Sequence, residues 1–255
     1  MNNILKLGAL AAASTLVLAG CAANEAAVEA PTTSAAAGST ETVVELTGTL
    51  NGSGASSMAA GQEAWIAAFQ IANPGVTVNY DPTGSGTGRA QFMEGATSFT
   101  GSDSYWKDEE LLETFPSCEV GTMPWEFPIW ISPIAVIFNL DGISSLNMDG
   151  ATVAGIFAGE ITMWNDSAIA AANPGVALPE LQITAVHRSD ESGTSKNFTD
   201  YLAKVAENVW TVGAIEAWPA EYGGEGAQGT SGVVSAVTGG NGTIGYADAS
   251  RSGDL

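Results

Sequence analysis

The sequence is poor in positive charge. Only 7 of its 255 residues are Lys or Arg, against 28 Asp and Glu, for a formal charge of −21. Sequence-independent nucleic-acid binding needs clustered cations that displace counterions, so that class of function is excluded. Histidine occurs once, at His187. This removes the two-histidine zinc sites and the usual metallohydrolases, and neither a metal nor a cofactor is expected. There are two cysteines, Cys21 and Cys118, too few for a disulfide scaffold. No apolar run reaches the ~20 residues of a comfortable membrane span. The longest, Ile129–Leu140, contains Pro133 and reads better as a buried strand passing between two lobes. Gly-Lys-Ser/Thr and Gly-x-Ser-x-Gly are both missing, so neither a nucleotide P-loop nor a serine-hydrolase elbow is expected. What is present is 45% hydrophobic, too much for a disordered polyanion and enough for one or two packed domains.

The first 20 residues read as a targeting peptide. Lys6 precedes the apolar run Leu7–Leu18, which is too short to serve as an anchor. The ending Leu18-Ala19-Gly20-Cys21 resembles the lipobox of bacterial lipoproteins, which implies cleavage ahead of Cys21 and lipid on its sulfur. Residues 21–45 are mostly Ala, Ser, Thr and Glu. They cannot bury enough apolar surface to offset ordering entropy and are expected to form a flexible tether. A coil of that length spans roughly 25–30 Å root-mean-square, enough to hold a domain just off a membrane. With Cys21 lipidated, Cys118 has no partner in the chain, so it is either buried or paired elsewhere.

From Val43 onward strand-like and helix-like patterns alternate. Val43–Leu50 reads as a strand stopped by Asn51-Gly52. Ser57–Ala72, with Met58, Trp65, Ile66 and Phe69, has helical spacing. Val76–Tyr80, Ser98–Gly101 and Ile183–His187 read as further strands, with helix-like stretches from Arg89, over Ile161–Ala172 and over Phe198–Val209. The expectation is α/β architecture.

The chemistry concentrates in three Gly/Ser loops, Gly52–Ser57, Thr83–Arg89 and Arg188–Ser195, each just before a helical pattern. Helix N-termini carry unpaired N–H groups and a partial positive charge, and glycine lets a ligand approach the backbone. Such loops also serve as ordinary caps. Three together, two of them with an arginine, point to a shared anion site that net negative charge does not forbid, because distant charges are screened within about 8–10 Å. Gly224-Glu225-Gly226-Ala227-Gln228-Gly229 matches the dinucleotide pattern by letters, but no clear strand precedes it and no good helix is expected to follow. His187 could act as a base near Ser192, though a histidine ending a strand reads better as a core or rim residue.

These residues resemble the substrate-binding proteins of bacterial phosphate ABC transporters, from about Leu46 to Ser250. The resemblance rests on Gly52–Ser57, Thr83–Gly88, Phe99–Asp103, Ile161–Gly175 and especially Ile183–Leu202, with its Arg-x-Asp-x-Ser-Gly-Thr. It implies a two-lobed periplasmic-binding-protein-like fold of type II, with lobes at 46–134 and 135–246 and a return crossover beginning at 247–255. The family's chain then completes its first lobe; this sequence ends at Leu255, so a first lobe lacking its closing segment is expected, with exposed apolar surface. The implied phosphate ligands are Ser56, Ser57, Ser85, Asp103, Arg188, Ser192, Gly193 and Thr194, with Asp190 holding Arg188. Ser57 stands where the family has a phenylalanine contributing only its backbone N–H. Arg89 has no counterpart and reads as a helix-surface charge. The implied function is extracytoplasmic binding of inorganic phosphate and delivery to a membrane permease, by a non-enzymatic protein lipid-anchored at Cys21. The alternatives are a receptor for sulfate or molybdate, a phosphoester-cleaving enzyme, and a cell-surface lipoprotein or adhesin.

Overall fold

A computed structural model of the chain describes residues 45–253 and 255. The expected targeting peptide, the Cys21 lipidation site and nearly all of the tether lie outside the described residues. The architecture is α/β, with two sheets. In the first, β1 (Gly48–Gly54) lies between β2 (Val76–Asp81) and β3 (Phe99–Gly101), all parallel. The second has the order β4 (Ile134–Asn139), β7 (Thr243–Asp248), β5 (Thr184–Arg188), β6 (Glu225–Ala227); β4 runs antiparallel to β7 and the other pairs are parallel.

Helices connect the parallel strands, as parallel pairing requires. They are α1 (Ala59–Ala72), α2 (Ser85–Met93), α3 (Gly150–Phe157), α4 (Ser167–Ala172), α5 (Gly193–Val205) and α6 (Gly229–Gly239). The larger core belongs to the second sheet. Every residue of β7 is buried, and Trp164, Trp210, Phe157, Phe198 and Leu202 pack in the cluster around Tyr246. The first sheet carries a smaller cluster of Phe92, Trp106 and Phe115, with Cys118 partly buried against it and, among the described residues, unpaired. Trp65, Phe69 and Ile71 of α1 are exposed, as are Trp125, Phe127, Ile129 and Ile131.

Several local expectations change; the helix-like stretch expected over Ile161–Ala172 is helical only at Ser167–Ala172. The first strand runs to Gly54 rather than stopping at Asn51-Gly52, because Gly52 lies under the Phe99 ring, where an added Cβ would come within 2.2 Å of it. This is glycine permitting close approach in a strand, not a turn. The apolar run Ile129–Leu140 is a strand only from Ile134, and Ile131 is 94% exposed. Pro133 has no N–H for the ladder, so pairing begins after it, while its carbonyl accepts from Ala249 N. The Gly224–Gly229 stretch follows a 3-10 turn at Ala220–Tyr222 and no strand precedes it, as expected; contrary to expectation it opens a helix, α6, and itself holds the short strand β6.

Candidate functional site

Ligand sites of open α/β sheets form beyond the carboxyl ends of the strands, where loops lead into helix N-termini. Here β1 delivers Ser56 and Ser57 in a 3-10 turn before α1, β2 leads to Ser85 at the start of α2, and Asp103 lies two residues beyond β3. From the second sheet, β5 ends at Arg188 and passes through Asp190 to Ser192, Gly193 and Thr194 at the start of α5. Close backbone approach between β1 and β3 makes this convergence possible. Gly54 has φ 142°, and a Cβ there would lie 2.0 Å from the Gly101 carbonyl oxygen.

Asp103 stands at the centre. Its Oδ1 accepts from Ser57 Oγ at 2.6 Å and its Oδ2 from Thr194 Oγ1 at 3.0 Å, while its backbone N–H donates to Ser85 Oγ at 3.2 Å. The carboxylate therefore joins residues carried by both sheets. Gly193 lies against the same group: a Cβ there would sit 2.7 Å from both Asp103 Cβ and Ser85 Oγ. Burial pushes the Asp103 carboxyl above its ordinary value; the Ser57 and Thr194 hydrogen bonds and the Arg188 charge pull it down, and Asp248 adds to the rise. Asp103, Ser57 and Thr194 are among the residues lining a cleft of about 570 Å³, whereas Ser56, Ser85, Arg188, Ser192 and Gly193 do not line it.

Arg188 is buried and is held by Asp190, through Nε to Oδ1 at 2.7 Å and Nη2 to Oδ2. Two of the five guanidinium N–H groups thus donate to Asp190. Asp190 Oδ1 also accepts from Gly229 N at 3.0 Å, and Ser56 Oγ accepts from Thr230 N at 2.9 Å. The start of α6 therefore belongs to this cluster, although sequence reasoning passed it over. Its signal was the repeated triplet Gly-Thr-Ser, at Gly193-Thr194-Ser195 and again at Gly229-Thr230-Ser231. Asp190 and Ser56 thus take the first two amides of α6, the first of them from Gly229, the last glycine of the dinucleotide-like pattern.

Ser192 is less directly joined. Its hydroxyl caps α5 by accepting from Ser195 N at 3.1 Å, and its own amide donates to the Glu216 carbonyl. Its hydroxyl hydrogen is still able to donate. His187 stacks on Trp218, with centroids 4.7 Å apart, and its ring nitrogen Nδ1 lies 2.9 Å from the Arg188 carbonyl oxygen. Burial lowers its basicity, and it takes the place of a rim histidine.

Arg89 is not the surface charge expected. It is 1% exposed, with Nη1 and Nη2 donating to Glu216 at 3.0 and 2.9 Å and Nε to Glu110. Lys107 Nζ reaches the same Glu216 at 3.1 Å. Burial alone would raise the Glu216 carboxyl, but the hydrogen bonds from Arg89 outweigh it and, with Ser104 and Lys107, hold it down to about 2. Glu216 was not identified from sequence; it lies 127 positions from Arg89 with no local signal. Among the described residues no cluster of His, Cys, Asp and Glu could hold a metal ion, and no helix is long and apolar enough to cross a membrane.

The family model of the PBP superfamily domain matches residues 30–255. The phosphate-binding protein PstS 3 of Mycobacterium leprae is 40% identical over 237 residues, covering 92% of this chain and 62% of that protein. PstS 2 of Mycobacterium tuberculosis is 36% identical over 239 residues, covering 93% and 63%. The chain thus spans under two thirds of the length of these curated relatives. Among solved structures, a phosphate-binding protein from Stenotrophomonas maltophilia superposes with a TM-score of 0.59 at 23% identity, covering 80% of this chain and 61% of that one.

Proposed function

The chain belongs to the PBP superfamily, and on that premise we propose that it is an extracytoplasmic receptor for inorganic phosphate that delivers its ligand to an ABC-type permease. In this reading it is not an enzyme, it is anchored to the membrane through lipid on Cys21, and its two lobes, 46–134 and 135–246, close around the anion. The names of the mycobacterial relatives support the ligand class. The observation that carries the reading is Asp103, a carboxylate placed among hydroxyls, helix N-termini and the Arg188 guanidinium.

An acid in an anion site has a physical purpose. Near neutral pH phosphate still carries a proton, whereas sulfate carries none. After Ser57 and Thr194 are counted, each Asp103 oxygen keeps acceptor capacity for a further donor. Phosphate fills it with its own O–H; sulfate would bring only lone pairs against a buried charge, which costs several kcal/mol. Arg188 contributes the full positive charge, and the N-termini of the helices contribute fixed dipoles. Ser56, Ser85, Ser192 and the backbone of Ser57, Gly193 and Thr194 complete the donor set. Micromolar affinity corresponds to about −8 kcal/mol, within reach of such a set in a closed cleft.

Two substitutions test this by calorimetry. In Asp103→Asn the amide can donate, so the preference for phosphate over sulfate falls by roughly a hundredfold or more. In Arg188→Ala both anions weaken, by about ten- to a hundredfold. Phosphate binding indifferent to both changes overturns the site assignment.

A further inference from the structure

Ser57 departs from the resemblance, which sets a phenylalanine at this position and leaves only its backbone to the ligand. In this chain the side chain has work of its own. It is 1% exposed, and its single O–H donates to Asp103 Oδ1 at 2.6 Å, the shorter of the two hydroxyl contacts to that carboxylate. A hydroxyl carries one donor, so its hydrogen serves Asp103 and not the anion. We propose that the Ser57 hydroxyl is a specificity-determining group: by donating to Asp103 it holds the carboxylate as an acceptor, so that an incoming oxyanion must supply the proton between them. This deepens the phosphate-receptor reading and rests on it.

The surroundings explain why such a group is useful. From the strands, Arg188 on β5 and Asp248 on β7 act on Asp103, whose charge in turn raises the Tyr80 phenol on β2; from α5, Thr194 bonds its second oxygen, and Lys196 donates to the neighbouring Ser104. Burial and Asp248 favour the neutral carboxylic acid, while Ser57, Thr194 and Arg188 favour the anion. The balance decides chemistry. A neutral Asp103 would itself become a donor and would accept sulfate as readily as phosphate. A hydrogen bond to the charged form favours that form, so Ser57 moves the boundary of discrimination to lower pH.

The test compares the full chain with Ser57→Ala and Ser57→Thr, the latter restoring a hydroxyl. The Asp103 carboxyl carbon is titrated by NMR without ligand, and sulfate and phosphate affinities are measured by calorimetry from pH 8 to pH 5. The expected result is a carboxyl midpoint about one pH unit higher in Ser57→Ala, corresponding to about a tenfold change. Sulfate binding then emerges at correspondingly higher pH, and Ser57→Thr returns both towards the parent. An unchanged midpoint, or a sulfate profile that does not follow it, overturns the proposal. If the midpoint moves but none of the three proteins binds phosphate, the receptor reading fails, and the specificity role falls with it for that separate reason.

Discussion

The Arg89–Glu216 pair offers a sharp test of how the cleft region is held together, because its two partners lie 127 positions apart. The perturbation is Glu216→Gln. It keeps the size and one acceptor but removes the charge opposite a guanidinium that is 1% exposed. Arg89 would keep Glu110, whose side chain is 13% exposed, as its remaining anion. Breaking one partner of a buried pair costs about 3–5 kcal/mol, and the retained amide oxygen favours the lower end. The titration argues for the same size. A carboxyl held down from 4.5 to about 2 contributes about 3 kcal/mol to stability when ionised. The sign follows from the depressed value. The contribution is fully present above about pH 4.5 and is lost as pH falls towards 2. Urea unfolding at pH 7 should therefore find Glu216→Gln less stable by about 3 kcal/mol, with the gap between parent and variant closing between pH 4.5 and 2. Equal stability at pH 7, or a gap independent of pH across that window, would refute the reasoning. As a control, Arg89→Met with Glu216→Leu should recover part of the loss, because it removes both charges of the buried pair and leaves only Glu110, 13% exposed, without its guanidinium.

Two further outcomes concern the site itself. Gly193→Ala introduces a Cβ 2.7 Å from Asp103 Cβ; overpacking on this scale costs about 1–3 kcal/mol, and calorimetry should show phosphate affinity reduced by roughly tenfold or more. Ser192→Ala removes the cap of α5 and should lower stability by about 1 kcal/mol in denaturant titration, with a larger proportional loss of phosphate affinity than an Ala substitution at the exposed Thr87 of α2.

The site was legible where its signal is local. Gly52–Ser57, Thr83–Gly88 and Arg188–Ser195 announce themselves because helix starts need hydroxyls and close approach needs glycine, and both requirements are written within a few residues. Partners across the fold were not legible. Glu216, the amides of Gly229 and Thr230, and the donation from Ser57 to Asp103 come from contacts between segments 39 to 174 positions apart, and nothing in a neighbouring residue encodes them. The same limit turned Arg89 from an expected surface charge into a buried one. The strands show a complementary lesson. Hydrophobicity found β4 and β5 but overextended β4 towards Ile129, where an apolar run meets a proline that cannot join a ladder. It also read Gly52 as a stop, although Phe99 makes glycine necessary there inside the strand.

The central claim is that a carboxylate at Asp103 recognises an oxyanion by the proton it carries. Calorimetric titration of the full chain with phosphate and then with sulfate, both at pH 8, addresses it most directly. Saturable phosphate binding at micromolar concentration, with sulfate failing to compete at a thousandfold excess, is the predicted result. Equal affinity for the two anions would contradict the account.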